Sequence, residues 1–335
     1  MPSHFPLYWN LEYCDRHLLC STIFFDRRVS GELSIFSAAF YMFEYAISTL
    51  RRGARTSYHS YTYTPTDAII FLTYRCTSRC MGCNIWKRPV DIDEELTWEE
   101  WKPILENLAK NNIKNVEMFG GDTLLRKDLL LKMIQFCTDK GICTSLPTNS
   151  ISLTVKTVQS LVDAGLGTIY LSLDEVPDIG QSIRAVKRHF DRVVKSIGAF
   201  KKFSSDSHGP RISCITTVSC MNYRFLERLM KVAYEAGADE YMIRGISEFT
   251  NESVESSAVN RILPSPYFMP TDNKTHAFSE DQATELLDIL KYIWKERAQY
   301  QPMSIDMTNL KQVNAENLAQ LTYPHQTCVL LPRRL

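Results

Sequence analysis

"AIIFLTYRCTSRCMGC", residues 68–83, runs an apolar strand-length segment straight into three cysteines spaced C-x3-C-x2-C. The run AIIFLTY (68–74) holds no turn residue and reads as a strand buried on both faces, as in a parallel sheet. Cys76, Cys80 and Cys83 then follow in the loop that leaves it. Three thiols so close together form a soft ligand set, suited to zinc or to iron–sulfur. A structural zinc site closes with four ligands. The nearest further candidates, His59 and Cys137, lack finger-like spacing, and a thioredoxin-type reading would leave Cys76 idle. An iron–sulfur cube is ordinarily held by four cysteines. With three, one iron stays open to a substrate or cofactor.

Outward from this stretch, short apolar runs alternate with helical ones. NVEMF (115–119), ICTSL (142–146), TIYLSLD (168–174), ISCITTV (212–218) and EYMI (240–243) read as five more strands. Trp98, Trp101, Leu105 and Leu108 share one helical face behind a Thr97–Glu100 capping box. Further helices are expected over 126–140, 155–164, 181–202, after Asn222 and after Ser279, the last capped by Ser279 and Gln282. Six strands alternating with helices predict an α/β fold, a partial (βα)6 TIM-like barrel with right-handed crossovers and its chemistry on the loops after the strands. The polar residues fall there. The thiols follow strand one, Gly120-Gly121-Asp122 strand two and Pro147–Ser150 strand three; Ser172 and Asp174 end strand four, Thr217 and Ser219 strand five, and Arg244 strand six.

Lysine plus arginine and aspartate plus glutamate balance at 38 each, which argues against a nucleic-acid partner. The start, MPSHFPLYWNLEYCD, has no secretory signal, so a cytoplasmic, reducing setting is expected, in which clustered cysteines bind metal or do redox work. Three divisions are expected: a mostly helical N-terminal extension (1–64), the barrel core (65–246), and an insertion, helix and tail (247–335). Leu33–Leu50 carries one charge and sits at the margin of membrane-spanning length. A buried helix is preferred there over an interfacial one, so membrane association is not favoured.

The C-x3-C-x2-C after the first strand resembles the cluster motif of radical S-adenosylmethionine (radical SAM) enzymes. FGGDTLLRKDL resembles that family's Gly-Gly-Glu-Pro segment, TNS its Thr-Asn-Gly, and LSLD its Ser-x-Asp. NIWK and LTWEEW resemble the subgroup with peptide- and cofactor-maturing (SPASM/twitch-type) members. The resemblance covers roughly residues 66 to 246. It implies that Cys76, Cys80 and Cys83 ligate a [4Fe–4S] cluster whose fourth iron binds S-adenosylmethionine. Gly120 and Gly121 would let the backbone approach the methionine part, and Asp122 would accept from its amino group. Ser172 and Asp174 would sit near the ribose or carboxylate, and backbone from Met242 to Arg244 would face the adenine. The reduced cluster would cleave the sulfonium to a 5′-deoxyadenosyl radical that takes a hydrogen atom from substrate, with an electron donor such as flavodoxin or ferredoxin. Three positions depart from the pattern: Asp122 stands for the usual Glu, Thr123 for Pro, and Gly82 for an aromatic that touches adenine, a task left to Ile85 or Trp86.

Plainer readings stand beside these. GGD alone is a turn, Ser172 and Asp174 could cap a helix, and Arg244 could make a surface ion pair. Cys137, Cys143, Cys214 and Cys220 read as small core residues, and His189 as solvated. Cys328 opens no further cysteine group, which leaves two readings: no auxiliary cluster, or a fragment cut at the boundary of one. The expected activity is peptide or cofactor maturation. A small-molecule or lipid-precursor modifier is the alternative among enzymes, and a non-catalytic zinc- or thiol-binding protein the alternative of another class.

Overall fold

The computed structural model describes residues 65–177, 182–205, 209–246, 277–310 and 313–320, together with Glu255. The apolar stretch Leu33–Leu50 and Cys328 lie outside them. Asp67–Pro324 forms one compact unit.

Seven strands make one wholly parallel sheet in chain order: β1 (Asp67–Thr73), β2 (Asn115–Gly120), β3 (Cys143–Thr148), β4 (Thr168–Ser172), β5 (Arg211–Val218), β6 (Glu240–Gly245) and β7 (Ser304–Asp306). β1 and β7 are not paired, so the barrel is open. The expected strand–helix alternation holds through β6. The three-residue β7 is an addition, too short to show a period of its own. Helices α1 (Trp98–Lys110), α2 (Lys127–Asp139), α3 (Val155–Asp163), α4 (His189–Phe203), α5 (Leu226–Glu235) and α6 (Glu280–Glu296) form the outer layer, and a short α7 (Ala315–Gln320) follows β7.

Side-chain alternation builds two different surfaces. Val116, Met118, Leu146, Ile169, Leu171, Cys214, Tyr241 and Ile243 point outward and join Leu105, Leu130, Val158, Val193, Leu229 and Leu286 of the helices in one apolar core. The residues between them face the lumen and are largely polar. Local chemistry sets the helix starts. The Glu100 carboxylate accepts from the Thr97 N–H at 2.8 Å, and Ser279 and Gln282 cap each other at 3.0 and 3.2 Å.

Three expectations need correction. The helix expected over 181–202 begins at His189; residues 182–188 form a loop, with Ala185 and Arg188 in the left-handed region. His189 is 1 % exposed, not solvated, because the helix turns it toward the sheet. Cys143 is exposed and Cys220 half-buried, whereas Cys137 and Cys214 are core. No helix among the described residues is long and apolar enough to cross a membrane.

Candidate active site

The loop after β1 carries Cys76, Cys80 and Cys83, each half-buried. Burial pushes the Cys83 thiol up to about 11 and raises Cys76 as well. The backbone N–H of Ile85 and the Arg184 charge oppose this at Cys83, and the Ser78 N–H, 3.4 Å from Cys76 Sγ, opposes it at Cys76. The other two thiols act on Cys83 by repulsion, so the three share one electrostatic environment.

The ends of β2 and β3 hold this loop in place. Gly121 donates to Thr73 O and Asp122 to Arg75 O, both at 2.8 Å. A Cβ on Gly120 would stand 2.3 Å from Thr73 O, and one on Gly121 2.2 Å from Arg75 O. The two glycines therefore already answer to the chain's own backbone, which comes too close for any side chain. Gly120 also has φ +142°. Asp122 is buried; its Oδ1 caps the short 3-10 turn Thr123–Arg126 through the Leu124 N–H at 3.2 Å, and its Oδ2 accepts from Thr77 Oγ1 at 2.5 Å. From the end of β3, Asn149 Nδ2 donates to Thr77 Oγ1 at 3.1 Å and to Ser78 Oγ at 2.8 Å.

The segment after β4 grips the loop from the other side. Asp174 is 1 % exposed, ion-paired with Arg184, and accepts from the Thr217 N–H at 2.6 Å. Arg184 Nη1 lies 3.9 Å from Cys80 Sγ, and Met81 N–H donates to Ile183 O at 3.0 Å. Glu175 folds this segment by accepting from the backbone N–H groups of Ile183 at 2.7 Å and Arg184 at 3.3 Å. Ser172 is half-buried at the end of β4, without a hydrogen-bond partner for its hydroxyl among the described residues. Arg244 lies inside β6 and reaches no thiol; its guanidinium pairs with the buried Asp306 of β7 at 2.5 Å. Ile85 is packed into the protein, while half-buried Trp86 is faced by the cations of Arg79 and Lys87 at 5.0 and 5.3 Å.

Thus the thiols, Gly120, Gly121, Asp122 and Asp174 come together, and Arg244 stands apart. Arg184 and Glu175 belong to the site without any sequence spacing to announce them; only the tertiary fold brings Arg184 to Cys80. Among the described residues no three His, Cys, Asp or Glu side chains converge on a single-ion site. The donor chemistry fits an iron–sulfur cluster: soft thiols, N–H groups aimed at sulfur, and a guanidinium nearby.

The family described as the Radical SAM superfamily matches residues 70–242, just over half of the 335-residue chain. The chain belongs to the radical SAM superfamily. Its members are enzymes that use S-adenosylmethionine and an iron–sulfur cluster. Residues of this radical SAM chain are 33 % identical over 117 positions to the PqqA peptide cyclase of Bradyrhizobium diazoefficiens, covering 34 % of this chain and 30 % of that protein. The Fe-coproporphyrin III synthase of Methanosarcina barkeri is 23 % identical over 164 residues, covering 49 % and 40 %. The matched stretches thus span well under half of these curated relatives' own lengths. Among solved structures, Streptococcus suis SuiB bound to precursor peptide SuiA superimposes with a TM-score of 0.55 at 16 % identity, over 93 % of this chain and 66 % of that one. That likeness shows the shared fold.

Proposed function

We propose that this enzyme binds a [4Fe–4S] cluster through Cys76, Cys80 and Cys83 and modifies a peptide by hydrogen abstraction. The observation that carries the reading is the loop itself: three thiols in one segment, buttressed by Asp122 and Asn149 from two other strand ends and by Arg184 from the loop 182–188. When bound, the cluster would supply the electron that cleaves S-adenosylmethionine to a 5′-deoxyadenosyl radical. The chain's own residues orient and shield. Ser78 and Ile85 N–H groups and the Arg184 guanidinium favour charged thiolates at the three ligands. Gly120, Gly121 and Asp122 keep the β2 end tight against the loop, and the Ser172 hydroxyl at the mouth has no partner among the described residues.

Peptide as substrate is supported by the PqqA peptide cyclase relatives and by the likeness to a fold that binds a precursor peptide. The longer match to a coproporphyrin synthase supports a second reading, a small-molecule cofactor precursor. Residues 65–246 would be the catalytic core, with flavodoxin or ferredoxin as donor in the cytoplasm. Anaerobic reconstitution is the test. About four irons and four sulfides per chain are expected, with 5′-deoxyadenosine formed on reduction. Alanine at Cys76, Cys80 and Cys83 should abolish both. One zinc per chain and no cleavage would overturn the reading.

A further inference from the structure

The cysteine loop carries positive charge on its surface that the site does not use. Residues 75–88 hold Arg75, Arg79, Lys87 and Arg88 and no carboxylate, in a chain whose charges balance at 38 each. Arg75 is taken by Glu95 at 2.7 Å. Arg79 and Lys87 are exposed and make no ion pair among the described residues. The acidic run from Asp91 to Glu95 forms none with them: Glu95 answers to Arg75 and Arg126, and Asp91 accepts from the Asp93 N–H at 3.0 Å.

Geometry ties these cations to the thiols. Arg79 stands between Cys76 and Cys80 in the chain. Its Nη1 donates to Cys76 O at 2.9 Å and to Ser78 O at 3.0 Å, which fixes the guanidinium on the loop. The same guanidinium lies 5.0 Å from the centre of the half-buried Trp86 ring, and Lys87 Nζ lies 5.3 Å from it. Arg88 lies 4.3 Å over the ring of Tyr74, where the loop leaves β1. Met81, between Cys80 and Cys83, is 40 % exposed, with its N–H pinned to Ile183 O. Arginine, tryptophan and methionine are side chains that protein interfaces enrich over the rest of the surface.

We propose that Arg79, Met81, Trp86 and Lys87 form the docking surface for an acidic protein that donates one electron. This rests on the reading that the three thiols hold a cluster. One electron leaves the donor, which is oxidised by one, and reduces the cluster by one; no bond breaks in that transfer. Electron transfer weakens steeply with distance, and this face belongs to the same short loop as the thiols. Unpaired positive charge there attracts a carboxylate-rich partner and repels a basic one. Trp86, between the two cations, supplies the apolar anchor. A peptide substrate has to reach the lumen, whereas a donor needs only the loop.

The test uses the full chain, reconstituted and unreduced, in titration calorimetry with oxidised flavodoxin as an acidic probe and cytochrome c as a basic one. Flavodoxin should bind and cytochrome c should not. Raising the ionic strength from about 0.01 M to about 0.15 M shortens the screening length from about 30 Å to about 8 Å and should weaken the flavodoxin complex about tenfold. At the lower salt Lys87→Glu should weaken it at least about tenfold and Arg79→Gln severalfold, while Lys87→Arg should keep the wild-type affinity. Lys291→Glu, on the outer helix α6, should leave it intact. Thermal melts verify that each variant folds, and the salt series on the wild type decides the matter if one does not. Failure of flavodoxin to bind, binding indifferent to salt or to Lys87→Glu, or equal binding of cytochrome c overturns the proposal. So does an acidic peptide, hexaglutamate, that binds where flavodoxin does not. Dithionite separates the two questions, since a small reductant needs no docking surface. Iron and 5′-deoxyadenosine under dithionite, with no flavodoxin binding, sink the docking surface alone; a chain that takes up no iron sinks the enzyme reading and the proposal with it.

Discussion

A methyl group is enough to test the β2 end. Gly121→Ala would put a Cβ 2.2 Å from the backbone carbonyl oxygen of Arg75, with nothing flexible to yield. A loss of several kcal/mol is expected, about 3 or more, read as a lowered thermal midpoint together with lost iron. Asp174→Ala leaves the Arg184 guanidinium unpaired beside Cys80; breaking a buried pair in this way costs about 3–5 kcal/mol, and urea unfolding measures it. Glu117 predicts a pH dependence. Its carboxyl, ordinarily near 4.5, is raised to about 7 in the fold. Between those values the folded chain holds a proton that the unfolded chain has released, so stability falls as pH rises and levels off above about 7. Glu117→Gln should therefore gain on the wild type from about pH 5 to about pH 8, by on the order of 1 kcal/mol after screening by lumen water. A flat difference across that range would refute the assignment.

At the scale of elements, the loop 182–188 is the part whose form depends on one side chain. Glu175 gathers the Ser182 hydroxyl and the Ile183 and Arg184 N–H groups, and Ile183 O then takes Met81 N–H. Glu175→Ala should free the loop, seen as faster proteolysis within 182–188 and as weaker cluster retention, while α4 itself persists. This loop also marks where sequence reading stops. Apolar runs such as TIYLSL and ISCITTV identify β4 and β5 because a buried parallel strand needs little else. The thiols and GGD are legible from spacing and from their place after strands. The helical pattern of 181–202 misleads because Ala185 and Arg188 take left-handed backbone, which a right-handed helix cannot include. Burial of His189 and the approach of Arg184 to Cys80 are products of tertiary packing, and no local pattern encodes them. β7 escapes because three residues carry no period.

For the whole molecule, the open sheet predicts graded protection. β4 is buried along nearly its whole length between two neighbours, whereas β7 pairs only with β6 over three positions. Hydrogen exchange should be slowest in β3–β5 and fast in β7 and α7; uniform protection would contradict an open barrel. The tie between Asn149 and the Thr77–Ser78 segment crosses 71–72 residues of sequence, and the tie from Asp122 to Thr77 crosses 45. During synthesis the cysteines leave the ribosome long before Asn149 does. If the proposed cluster loads on this loop, its nest is complete only once the third strand has docked, and the early thiols would have to stay reduced while they wait.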